Sequence, residues 1–141
     1  MSLVISSVSS SESGNLLACG TSMNDVNIMD RRLKDVVVGQ FQAHNKMVKQ
    51  VKLDPSAKIC ISSAADGQIR LWDVSRKQSI RSFKQCGGLQ IGYAFAQDAQ
   101  FKTIYSGSKE GRIFRISVLE ESIVQIAEIG TPILSLTYDQ A

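Results

Sequence analysis

The chain repeats itself at a spacing of 43 to 44 residues, and that regularity restricts the possible folds more than any other feature. The segment ISSAADGQIRLWDV (61–74) has a counterpart 43 residues upstream, ACGTSMNDVNIMDR (18–31), and another 44 residues downstream, YSGSKEGRIFRISV (105–118). Each copy is a β-rich run ending in small residues, then a polar turn, then a second run of alternating type. A strand-like piece precedes each copy, at LVISSV (3–8), VKQVKL (48–53) and IGYAFA (91–96). Another follows, at VVVGQF (36–41), QSIRSF (78–83) and SIVQIA (122–127). The joints SESGN, DPSAK, ADG and EG carry the residues that turns require. No segment shows an apolar 3.6-residue pattern of helical length, so helices are not expected.

Four short strands per unit at this period describe a propeller blade, not a helical solenoid. The expected fold class is therefore all-β, with about three four-stranded antiparallel blades, at about 3–41, 43–83 and 89–127. PILSLTYD adds the first strand of a further blade at about 132–138.

The middle unit holds polar residues that can satisfy one another. An aspartate in the tight ADG turn, Asp66, can accept from neighbouring N–H groups. His44, the only histidine, can donate to that carboxylate while its other ring nitrogen faces a hydroxyl. The indole N–H of Trp72, the only tryptophan, can donate to the same hydroxyl. The stretch AHNKMV…DPSAKICISSAADGQIRLWD resembles a WD40 repeat, in which Gly-His precedes the first strand and Trp-Asp ends the third. Ala43 stands where that family prefers glycine. The resemblance implies a structural hydrogen-bond tetrad of Trp72, Ser62, His44 and Asp66, with His44 as a fastener and not a catalytic base.

The flanking repeats have lost this set. Cys19 falls where Ser62 sits, and Met29 where Trp72 sits. In the third repeat Ser106 and Glu110 survive, but Ile116 replaces the tryptophan and Gly87–Gly88 stands near the missing histidine. These two blades are expected to rest on packing alone, with Cys19 a small buried apolar residue.

A chain of 141 residues with 43% hydrophobic content suffices for one packed domain. Its apolar runs, such as Val36 to Val38, are too short for a membrane span, and the N-terminal stretch lacks the pattern of a signal peptide. Cys19, Cys60 and Cys86 form no CxxC pair and are odd in number. A disulfide framework and a zinc site are therefore not expected, and an intracellular, reducing compartment (cytoplasm or nucleus) is. The net charge of +3 is weak, and the cations at 31, 32, 34, 76, 77 and 84 lie mostly in turns, so nucleic acid is not the expected partner. GxSxG, Walker, HExxH and Cys/His-cluster motifs are all missing, and Asp25 and Asp30 have turn and strand-end explanations. No enzyme activity, catalytic residue, metal or cofactor is expected.

Three units and one strand leave two sheet faces without cover, whereas closed propellers have roughly four to eight blades. The expectation is a part of a longer propeller; completion by a second copy stays open. Loops on a rigid propeller present side chains to other proteins, which makes a protein-interaction scaffold the leading function class. From AHNKMVKQVKL through YSGSKEGRIF to TPILSLTYD the chain is similar to the end of one WD40 propeller type. That type is the activators of ubiquitin-specific proteases, of the WD repeat-containing protein forty-eight kind. The resemblance implies a protease-binding surface made of Lys49, Tyr93 and Lys109. Tyr93 stands where those proteins have tryptophan and Lys109 where they have arginine, which reduces stacking area and bidentate geometry. The alternative is a WD40 subunit of an RNA-processing or other nucleic-acid-associated assembly.

Overall fold

A computed structural model of the chain describes residues 3–34, 36–86, 89–90, 94–98, 100–133 and 136. The first sheet consists of β1 (Ile5–Ser10), β2 (Leu16–Thr21), β3 (Val26–Asp30) and β4 (Val36–Phe41). The second holds β5 (Val48–Leu53), β6 (Ile59–Ala64), β7 (Ile69–Asp73) and β8 (Gln78–Phe83). A two-stranded ladder of β9 (Gln85–Cys86) and β10 (Leu89–Gln90) comes next. The third sheet holds β11 (Ala94–Gln97), β12 (Thr103–Gly107), β13 (Arg112–Ser117) and β14 (Ser122–Glu128). Each four-stranded sheet is an antiparallel meander in chain order, so the fold is all-β and its units are propeller blades.

The repeat extends to irregularities of register. A shift falls between Ile5 and Ser7 in the first blade and between Val48 and Gln50 in the second. A second shift falls between Ile28 and Met29, and again between Leu71 and Trp72. Both pairs recur at the 43-residue spacing, as expected of bulges that set the twist of a repeated unit.

Alternation along the strands sends neighbouring residues into different cores. Cys60 and Trp72 of the second blade join Ala18, Val26 and Ile28 of the first in one apolar cluster. Ile61, Leu71 and Phe83 face the other way and join Phe95, Ile104 and Phe114 of the third. The second blade is thus covered on both faces. The first blade leaves Val8 58% and Val37 50% exposed.

The innermost strands present unladdered edges, and side chains from neighbouring blades satisfy them. Val51 N donates to Ser7 Oγ at 3.1 Å, and Leu53 N to Ser9 Oγ at 2.9 Å. On the other side Gln50 Nε2 donates to Phe95 O at 2.9 Å, while Phe95 N donates back to Gln50 Oε1 at 3.1 Å. Glycines allow the same closeness. A Cβ on Gly20 would lie 2.6 Å from Val48 Cγ1, and one on Gly107 would collide with the Ile133 side chain.

Three details differ from the sequence reading, and a fourth expectation falls mostly outside the described residues. The first strand starts at Ile5 and not at Leu3, because only from there does the chain pair with β2. Among the described residues one 3-10 turn occurs, at Arg31–Leu33, where Asp30 accepts from Arg32 N and starts it. The β9–β10 ladder was not anticipated, since two-residue strands leave no periodicity to read. The strand expected at 132–138 lies mostly outside the described residues, although Ile133 is buried and its N–H donates to Ser108 O. No helix is long and apolar enough to cross a membrane among the described residues.

Candidate functional site

The second blade is built around a continuous run of polar contacts. Asp66 sits in the β6–β7 turn, where its Oδ1 accepts from Gln68 N and its Oδ2 from Asn45 N, both at 3.0 Å. The same carboxylate lies 3.2 and 3.1 Å from His44 Nδ1. A carboxylate only accepts, so Nδ1 carries the proton and Nε2 is left with a lone pair. Ser62 Oγ lies 2.8 Å from that Nε2 and accepts from Trp72 Nε1 at 2.9 Å. Donation therefore runs one way, from indole through hydroxyl to imidazole, and from imidazole to carboxylate.

Burial and charge pull His44 in opposite directions. Its contact with Asp66 favours the imidazolium, yet desolvation is the larger effect and, with Arg70 adding to it, lowers the pKa below the ordinary histidine value. The neutral ring is also the form the network needs, because a proton on Nε2 would take away the acceptor for the Ser62 hydroxyl proton. A neutral imidazole with both nitrogens engaged and no exposed side-chain surface has no access to a substrate. Phe41, from the last strand of the first blade, stacks on Trp72, and Arg70 lies over the indole at 5.9 Å.

All of this falls within one stretch of chain. Residues 35–73 match the family model for the WD domain, G-beta repeat. The matched WD repeat contains His44, Ser62, Asp66 and Trp72 together with Phe41. The E3 ubiquitin-protein ligase COP1 of Pisum sativum is 32% identical over 72 residues, 51% of this chain. The chain spans only 11% of that relative's length.

Outside the matched WD repeat the polar set is gone. Cys19 takes the place of Ser62 and is buried, which pushes its thiol pKa up. Ile116 takes the place of Trp72 and is fully buried in the core shared with the second blade. Cys60, adjacent to Ser62, is buried as well; desolvation, with the charge of Asp54 adding to it, pushes its thiol up to about 12. Among the described residues no group of three or more His, Cys, Asp or Glu side chains is placed to hold a metal ion.

Of the three surface residues, Lys49 lies near the start of β5, half-buried, and Lys109 lies exposed in the β12–β13 turn. Both stand at the same end of neighbouring blades, the end that carries the Asp66 turn. Tyr93 lies outside the described residues. Sequence reasoning missed Gln50, whose amide closes the seam between the second and third blades, and Phe41, whose role depends on the blade that follows. An aromatic or amide at a strand end gives no sign of its partner until the sheets are placed side by side.

Proposed function

We propose that the chain is a non-catalytic protein-interaction scaffold, part of a WD40 cofactor that binds and activates ubiquitin-specific proteases in a reducing intracellular compartment. The scaffold class is supported by the WD-repeat match and by blades that cover one another through shared apolar cores. A setting in ubiquitin handling is favoured by the relative, which by name is an E3 ubiquitin-protein ligase. The observation that carries the sharper reading is the position of Lys49 and Lys109 at one end of adjacent blades, where a single partner surface can reach both. Two cations on a rigid platform provide orientation and electrostatic steering, and affinity then depends on an apolar anchor such as Tyr93.

The experiment is an affinity pull-down of ubiquitin-specific proteases on wild type and on a Lys49→Ala/Lys109→Ala variant with an unchanged urea midpoint. Loss of the protease from the variant is expected. Equal recovery on both would end this reading. The alternative, a subunit of an RNA-processing or other nucleic-acid-associated assembly, would draw on Arg31, Arg32, Lys34, Arg76, Lys77 and Lys84. Arg32 is committed to Asp30, through Nε at 3.0 Å and Nη2 at 2.8 Å, which counts against it.

A further inference from the structure

At the opposite end of the blades from Lys49 and Lys109, the seam between the first and second blades opens into a groove of about 700 Å³. Three separate turns bring its walls together: the end of β3 with the Arg31–Leu33 turn, the β5–β6 turn, and the β7–β8 turn. Ile28, Val38, Ile59 and Ile80 give it an apolar lining, and Val38 and Ile80 remain 37% and 47% exposed at its mouth. Gly39 keeps the middle open; a Cβ there would only touch Lys77 Cε at 3.5 Å and Ile28 Cβ at 3.7 Å.

The charges around this lining are unequal in kind. Both carboxylates are occupied within the protein. Asp30 is held by Arg32, whose hydrogen bonds keep its carboxyl below the usual range. Asp73 accepts from Arg76 N at 3.0 Å and from Ser75 Oγ at 2.8 Å, which lowers its pKa likewise. Lys58 and Lys77 also line the groove, both exposed, and among the described residues neither has a carboxylate within ion-pair distance. With Asp30 paired to Arg32, the border of this apolar strip carries the two ammonium groups against the single ionised carboxylate of Asp73, a net positive charge.

We propose that this groove docks a short extended segment of a partner protein in which apolar side chains alternate with carboxylates. An extended chain sends successive side chains to opposite sides. Apolar residues then enter against Val38 and Ile80 while the carboxylates between them meet Lys58 and Lys77. The ligand class follows from the lining. Single-stranded nucleic acid would use the same cations, but it binds by stacking bases on aromatic rings, and this groove has none. The site lies apart from the Lys49–Lys109 end and does not depend on which partner binds there.

Fluorescence anisotropy with a short fluorescein-labelled peptide of alternating valine and glutamate tests it on the full chain. Saturable binding is expected, weakened at least ~10-fold by Lys58→Glu/Lys77→Glu with an unchanged urea midpoint. A peptide with lysine in place of glutamate should recover binding to that variant, and Ile80→Ser should weaken the original peptide. Lys49→Ala/Lys109→Ala should leave its affinity unchanged, which separates this site from the protease surface. Absence of saturable binding, or equal affinity for wild type and the charge-reversed variant, would overturn the proposal. So would charge-dependent binding of a short oligouridine RNA where the peptide fails.

Discussion

Phe41, the last residue of the first blade's outer strand, lies flat on Trp72 of the second blade, with ring centroids 5.1 Å apart and planes 8° from parallel. The fastener of one blade is thereby covered by its neighbour, and fastening within a blade is tied to packing between blades. Phe41→Ala is expected to destabilise the chain by about 3–5 kcal/mol, as buried phenylalanine truncations do. Trp72→Phe keeps the stack but removes the donor to Ser62, for about 1–3 kcal/mol. Combining Phe41→Ala with Trp72→Ala should be non-additive by about 0.5–1.5 kcal/mol. Urea denaturation of the single and double variants measures all three.

Acidification should act first through His44. Its pKa is lowered in the fold, mainly by burial, while in the unfolded chain it titrates near 6.5. The unfolded state therefore binds a proton that the folded state refuses. Stability is fully present above about pH 6.5 and falls as the pH drops from there through the lowered folded value. Asp30 and Asp73, with pKa values lowered by their hydrogen bonds, add a separate loss only below about pH 4. Urea midpoints from pH 8 to 5 should decline for wild type. Because the chain has one histidine, His44→Asn should flatten that decline while lowering the whole curve.

Beside the apolar core they share, the second and third blades are joined by the side-chain amide of Gln50. Gln50→Ala removes both of its bonds to Phe95 and should cost about 1–3 kcal/mol. Gln50→Glu still accepts from Phe95 N but sets a carboxylate against Phe95 O, so it should be at least as damaging. Limited proteolysis should show early cleavage within 94–128 in both variants.

Close approach at glycine makes a further test. Gly20→Ala would force its new methyl into Val48, a β-branched side chain with little freedom to turn away. A loss of about 1–3 kcal/mol is expected. Adding Val48→Ala should recover part of it, which thermal denaturation of the pair would reveal.

Much of this was legible because the repeat makes position informative. The strand runs, the turns and the identity of His44, Ser62, Asp66 and Trp72 follow from residue types at fixed offsets, and each offset corresponds to a register the sheets adopt. The cross-blade contacts were harder to see. Ser7 and Ser9 lie 44 residues before Val51 and Leu53, one repeat away, yet a serine in a strand does not declare that its hydroxyl caps another strand's edge. The groove at Lys58 and Lys77 was illegible for a stronger reason, because turns far apart in sequence meet only after the blades stack.

The central claim, a rigid platform that offers the Lys49–Lys109 end to a protein partner, is tested most directly by hydrogen–deuterium exchange with and without a ubiquitin-specific protease. The account predicts new protection across 46–53 and 107–112, with the turn at 54–58 at the opposite end unchanged. Protection at 54–58 with none at 46–53 or 107–112, or no change anywhere at saturating protease, would contradict it.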